Sequence, residues 1–101
     1  MIKVLIASEE KKITSIEVKG HSGSGPYGHD LVCAAVSAVV VGGANNLENK
    51  KGFSYQFDEG DAFIKAIQPV SSHDEIVLET IITSLRTIEN SYGKFIQIKN
   101  L

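Results

Sequence analysis

Tryptophan is absent from the chain, proline occurs twice, and methionine and cysteine once each. One cysteine, Cys33, cannot close an intramolecular disulfide, which excludes a disulfide-stapled secreted scaffold and suits the reducing cytoplasm. Neither sign of charge dominates. Ten Lys+Arg stand against 12 Asp+Glu, a formal charge of −2, and the basic residues are scattered instead of forming a stripe. A direct nucleic-acid partner is therefore not expected. Long apolar runs are also missing. The longest uncharged stretch, Leu31 to Leu47, is broken by Gly42-Gly43 and Asn45-Asn46 and falls short of the roughly 20 apolar residues of a membrane span. Met1 to Ala7 runs straight into Ser8-Glu9-Glu10-Lys11-Lys12, without the apolar segment and cleavage site of an export signal. The expectation is a cytoplasmic protein with no membrane partner.

Hydrophobic residues make up 43% of the 101 and charged residues 22%, enough to build a core and far from the composition of disorder. One domain over residues 1–101 is expected. Ile2, Val4 and Ile6 alternate in one strand, Ile2 to Ala7, and Ile16 and Val18 in a second, Ile13 to Lys19, around a polar turn from Ser8 to Lys12. Glycines 20, 23, 25 and 28, with Ser22, Ser24 and Pro26, make a loop. Asp30 can cap a helix from Leu31 to about Asn46, whose run of Val and Ala leaves no polar face. That helix must be covered on more than one side, and a homodimer contact would supply part of the cover. Phe53 to Phe57 and Ala62 to Ile67 form a second hairpin around Asp58-Glu59-Gly60-Asp61, ended by Pro69. Ser72-His73-Asp74-Glu75 reads as a capping box, with His73 exposed in the capping turn. Leu78, Ile81, Ile82, Leu85, Ile88 and Tyr92 then follow helical spacing up to Gly93. Lys94 to Ile98 closes the chain as a strand. The order is ββαββαβ, an α/β (α+β) domain with a sheet of about five strands packed by two helices.

Reactive side chains gather between positions 21 and 33. His21 leaves the second strand, and His29, Asp30 and Cys33 surround the start of the first helix. If the strand end and helix start share one edge of the sheet, His21 and Cys33 can meet as the base and nucleophile of thiol catalysis. With Asp30 as cap, Cys33 is the third helical residue, where unpaired N–H groups and the helix dipole favour thiolate. Asp30 would repel that charge, so it serves to set the helix start or to orient His21. Other readings stay open. A cysteine in an apolar helix can be a small core residue. The glycine spacing before a helix suggests a phosphate cradle but lacks the Gly-Lys-Ser/Thr ending. His21, His29, Asp30 and Cys33 could hold zinc, though no paired-ligand motif accompanies them. The exposed loop could also serve a non-catalytic protein-binding module.

Gly20-His21-Ser22-Gly23, continued through Tyr27-Gly28, Asp30-Leu31-Val32-Cys33-Ala34-Ala35-Val36 and Ser37, resembles the bacterial ribosomal-processing cysteine protease family, Prp. The resemblance extends over essentially the whole chain and includes the element order. The chain departs from the family pattern at Ser24-Gly25-Pro26, and His29 follows Gly28. What the resemblance implies is a cytoplasmic, homodimeric thiol peptidase without cofactor or metal. It would remove an N-terminal extension from large-subunit ribosomal protein twenty-seven, after a short segment with paired aromatics and an alanine. It further implies Cys33 as nucleophile, His21 as general base and then acid, and Asp30 in support. Gly20, Ser22, Gly23, Ser24, Gly25, Pro26, Tyr27 and Gly28 would form the substrate loop.

Overall fold

In the computed structural model, which describes residues 1–21 and 31–101, the N-terminal alternation folds as a half-buried hairpin. Ile2, Val4 and Ile6 of β1 (Ile2–Glu9) are buried, as are Ile16 and Val18 of β2 (Lys12–Lys19). Glu10 and Lys11 alone join the strands, at φ 51° and 68°, in the backbone of a type I′ turn. Pairing therefore continues past the polar boundary expected at Ser8, through a register irregularity between Ala7 and Ser8. The ladder uses backbone groups that every residue supplies, so polarity alone did not end it. A side chain in the left-handed region is costly, and Lys11→Gly should stabilise the fold by about 1 kcal/mol. A higher urea midpoint at unchanged slope would record that gain.

The remaining elements are α1 (Leu31–Asn45), a 3₁₀ turn at Lys50–Gly52, β3 (Phe53–Asp58), β4 (Asp61–Ala66), α2 (Ser72–Tyr92) and β5 (Ile96–Asn100). The sheet runs β3-β4-β2-β1-β5, antiparallel except where β5 lies parallel to β1. Register places Ile6, Ile16 and Ile64 in one row and Val4, Val18 and Ala62 in the next, all on one face. Val32, Val36, Val40 and Ala44 of α1 and Val77, Leu78, Ile81, Ile82 and Leu85 of α2 join those strand residues in one core. The expected ββαββαβ order and five-stranded, two-helix architecture are both present.

Other boundaries moved as well. The last strand is Ile96–Asn100 instead of Lys94–Ile98, because Phe95 N–H closes a turn on Tyr92 O and pairing with β1 begins at Ile2 and Ile96. β4 ends at Ala66, one residue short of Ile67. The α2 cap is Ser71, not Ser72: its Oγ accepts from Asp74 N–H at 3.2 Å, while Glu75 pairs with Lys12 at 3.1 Å instead of reaching back. The shift by one residue turns Asp74 inward, toward the segment that follows α1. Among the described residues, cover on α1 is one-sided. Its buried residues form a single stripe, and Leu31, Ala34, Ser37, Ala38 and Gly42 are exposed. Among the described residues no helix is long and apolar enough to cross a membrane.

Candidate active site

At the end of β2 the chain turns on Gly20, which has φ +92° and donates its N–H to Gly60 O at 3.0 Å. A Cβ on Gly20 would collide with the Met1 carbonyl oxygen, so the approach of these backbones requires glycine. The next residue, His21, is exposed and lies over the turn between β3 and β4. Gly60, at φ +76°, leaves room for the ring: a Cβ there would sit 2.9 Å from His21 Nε2 and 3.2 Å from Cε1. Sheet order explains the encounter. β4 pairs with β2, with Asp61 opposite Lys19, so the β3–β4 turn arrives beside the end of β2.

Cys33 enters from the other side. It is the third residue of α1, half-buried, and packs against the core. His21 and Cys33 both line one cleft of about 260 Å³, floored by Val18, Val36 and Val40. This is the juxtaposition expected of the strand end and helix start. Asp58, Glu59 and Asp61 line the same cleft, with no lysine or arginine among its described lining residues. Asp61 also acts on Lys19, whose pKa is raised first by the hydrogen bond and charge of Glu17, 2.9 Å away, and then by the Asp61 charge. The cleft thus offers a thiol and an imidazole over an apolar floor, under an acidic rim.

Of the site residues expected from sequence, Gly20, His21 and Cys33 are brought together. Asp30, His29 and the loop residues Ser22, Gly23, Ser24, Gly25, Pro26, Tyr27 and Gly28 lie outside the described residues. The suggested zinc set is therefore placed only at His21 and Cys33. Among the described residues, Glu48, His73 and Asp74 have ligand-type atoms within 4.8 Å of one another. Asp74 is fully buried, however, and accepts from Glu48 N–H at 2.7 Å and Asn49 N–H at 3.0 Å, with His73 Nδ1 at 2.9 Å. These contacts account for that cluster as a clasp between α2 and the segment after α1.

Gly60, Phe57 and the three acidic residues at the cleft were not anticipated as site residues. The turn Asp58-Glu59-Gly60-Asp61 was legible, but its destination depended on β4 pairing with β2. Gly60→Ala should displace the His21 ring and strain a left-handed position. The expected result is a loss of turnover of about tenfold or more, with a stability cost of about 1 kcal/mol. Parallel kinetics and thermal melts would check it, and unchanged turnover would separate His21 placement from activity.

Comparison with known proteins bears on the family and the fold. The family model described as cysteine protease Prp matches residues 1–97. The ribosomal processing cysteine protease Prp of Staphylococcus aureus is 31% identical over 98 residues, covering 93% of this chain and 92% of that protein. The Bacillus subtilis protein of the same name is 36% identical over 93 residues, covering 84% of this chain and 83% of its own. The crystal structure of the S. aureus essential ribosomal processing protease Prp with a covalently linked product peptide superposes with a TM-score of 0.86. Identity there is 31%, and both chains are covered in full.

Proposed function

Since the chain belongs to the Prp family of cysteine proteases, we propose that it is the cytoplasmic endopeptidase that removes the N-terminal extension of large-subunit ribosomal protein twenty-seven. The observation that carries this reading is that His21 and Cys33, 12 positions apart in sequence, line a single cleft. A product peptide covalently linked to the S. aureus relative supports peptide occupancy of such a cleft.

In the proposed reaction His21 takes the Cys33 proton as Sγ attacks the scissile carbonyl carbon. The resulting tetrahedral intermediate collapses to a thioester as the C–N bond breaks and His21 returns the proton to the departing amine. Water, deprotonated by the same imidazole, then hydrolyses the thioester and restores the thiol. Helix-start N–H groups are suited to stabilising negative charge near Cys33. Asp30 is assigned a supporting role in positioning, and neither metal nor organic cofactor takes part.

We also propose a homodimer through the exposed side of α1, where Ala34, Ala38 and Gly42 allow a second helix to approach closely. Sedimentation equilibrium reads that state directly. The reaction itself is tested by intact-mass spectrometry of the extended ribosomal protein after incubation with wild type and with Cys33→Ala. Mass loss with wild type alone supports the reading. Equal loss with both would remove Cys33 as nucleophile, and no loss with either would favour a binding module.

A further inference from the structure

We propose that the outer edge of β3 is a docking ledge on which an extended segment of the peptide substrate pairs as an added strand before entering the cleft. This rests on the peptidase reading and supplies the means by which the substrate is held. Among the described residues β3 is an edge strand, hydrogen-bonded only to β4. Two observations set the phase of its backbone. Ile67 N–H donates to Gly52 O at 2.8 Å, and Asp58 faces Asp61 across the two-residue turn Glu59-Gly60. Antiparallel alternation then turns Ser54, Gln56 and Asp58 toward β4 and leaves the N–H and C=O groups of Tyr55 and Phe57 on the open side.

The side chains of these two residues point the same way as the core. Tyr55 lies opposite Ile64 and Phe57 opposite Ala62, on the face that the helices cover elsewhere. At the sheet edge the cover ends: Tyr55 is 43% and Phe57 38% exposed, and their rings stack with centroids 5.7 Å apart. Edge strands are usually blunted by lysine, proline or an inward charge, and Phe53-Ser54-Tyr55-Gln56-Phe57 has none of these. Phe57 also lines the cleft that holds His21 and Cys33, so ledge and cleft are continuous.

Charge selects the occupant. Asp58, Glu59 and Asp61 stand where the ledge meets the cleft, and proteins that bind ribosomal RNA carry an excess of positive charge. A segment of a ribosomal precursor therefore complements this end. Main-chain pairing would supply affinity, and alternate substrate side chains resting on Tyr55 and Phe57 would supply selection for apolar residues.

The test uses the full chain carrying Cys33→Ala and a fluorescein-labelled synthetic peptide spanning the precursor's extension, with binding read by fluorescence anisotropy. Tyr55→Ala and Phe57→Ala, each added to that chain, should weaken binding about fivefold to tenfold without lowering the melting temperature by more than a few degrees. In the enzyme with Cys33 intact, Tyr55→Ala should raise KM by a similar factor and leave kcat nearly unchanged. Peptides N-methylated at every second residue should lose affinity in one phase and keep it in the other, a signature that a merely structural Tyr55 would not produce. Absent binding, binding indifferent to Tyr55, or loss independent of methylation phase would each overturn the ledge. Conversion of a dimer to a monomer by Tyr55→Ala would do so too, by assigning the edge to a second copy. Tyr55-dependent binding of a peptide that wild type never cuts would keep the ledge and discard the peptidase reading. Cleavage unaffected by Tyr55→Ala and Phe57→Ala would do the reverse.

Discussion

Cys33→Ala should abolish processing of the extended ribosomal protein, with turnover falling by about four orders of magnitude or more, while the melting temperature changes by only a few degrees. The two expectations come from different features of one residue. Cys33 is half-buried at the edge of the core, so removing its sulfur leaves no large cavity, and alanine is at ease in a helix. Its proposed contribution to rate is of another size, because the covalent step has no substitute once the thiol is gone. His21→Ala should lower turnover about a hundredfold or more on its own. Combined with Cys33→Ala it should add almost nothing, since two groups that act as one unit do not contribute independently. Single-turnover cleavage followed by mass spectrometry measures all three variants. Additive losses in the double variant would show that His21 and Cys33 act separately.

Asp74→Ala should destabilise the fold by about 4 kcal/mol, a large fraction of the roughly 5–15 kcal/mol that holds a domain of this kind together. Asp74 is completely buried at the start of α2, and its two oxygens accept from the backbone N–H groups of Glu48 and Asn49. Removing the carboxylate leaves both donors without a partner, at about 1–3 kcal/mol each, and breaks the contact that ties α2 to the end of α1. Asp74→Asn should cost less, because its amide oxygen can still accept from one donor. Thermal melts would record losses of about 4–8 °C per kcal/mol.

The same carboxylate gives a pH dependence of defined sign. Burial pushes the Asp74 carboxyl up, but the hydrogen bonds from Glu48 N–H, His73 and Asn49 N–H, with the His73 charge, hold it below the usual carboxylate value. Its contribution to stability is therefore complete above the unfolded-state value of about 3.9 and is lost as pH falls through the lower folded-state value. The gap in melting temperature between wild type and Asp74→Asn should be constant near neutrality and narrow below about pH 4. A gap that stays constant to pH 3 would assign the acid sensitivity to other groups.

Much of the fold could be read from residue order. The alternation of Ile2, Val4 and Ile6 and the helical spacing of Leu78, Ile81, Ile82 and Leu85 each report a buried face, and all seven residues are buried. The boundaries set by local chemistry were less secure. Ser71 and Ser72 are equally good caps by type, and the choice between them is made by Asp74, whose N–H donors are 25 and 26 positions away. Tyr92 fits the helical spacing yet is 45% exposed, as the last residue of α2.

The candidate site divides along the same line. By itself the sequence determined the identities of the pair, His21 and Cys33, their places at a strand end and a helix start, and the family motif around them. These depend on local pattern and residue type, both of which survive without a partner strand. The tertiary structure alone decided that β4 lies against β2, which carries Gly60 under the His21 ring and Asp58, Glu59 and Asp61 to the cleft. It alone also decided that β3 lies at the edge of the described sheet with Tyr55 and Phe57 partly exposed. Strand order is a choice among long-range pairings that share the same alternating pattern, so it is settled only when the whole core packs at once.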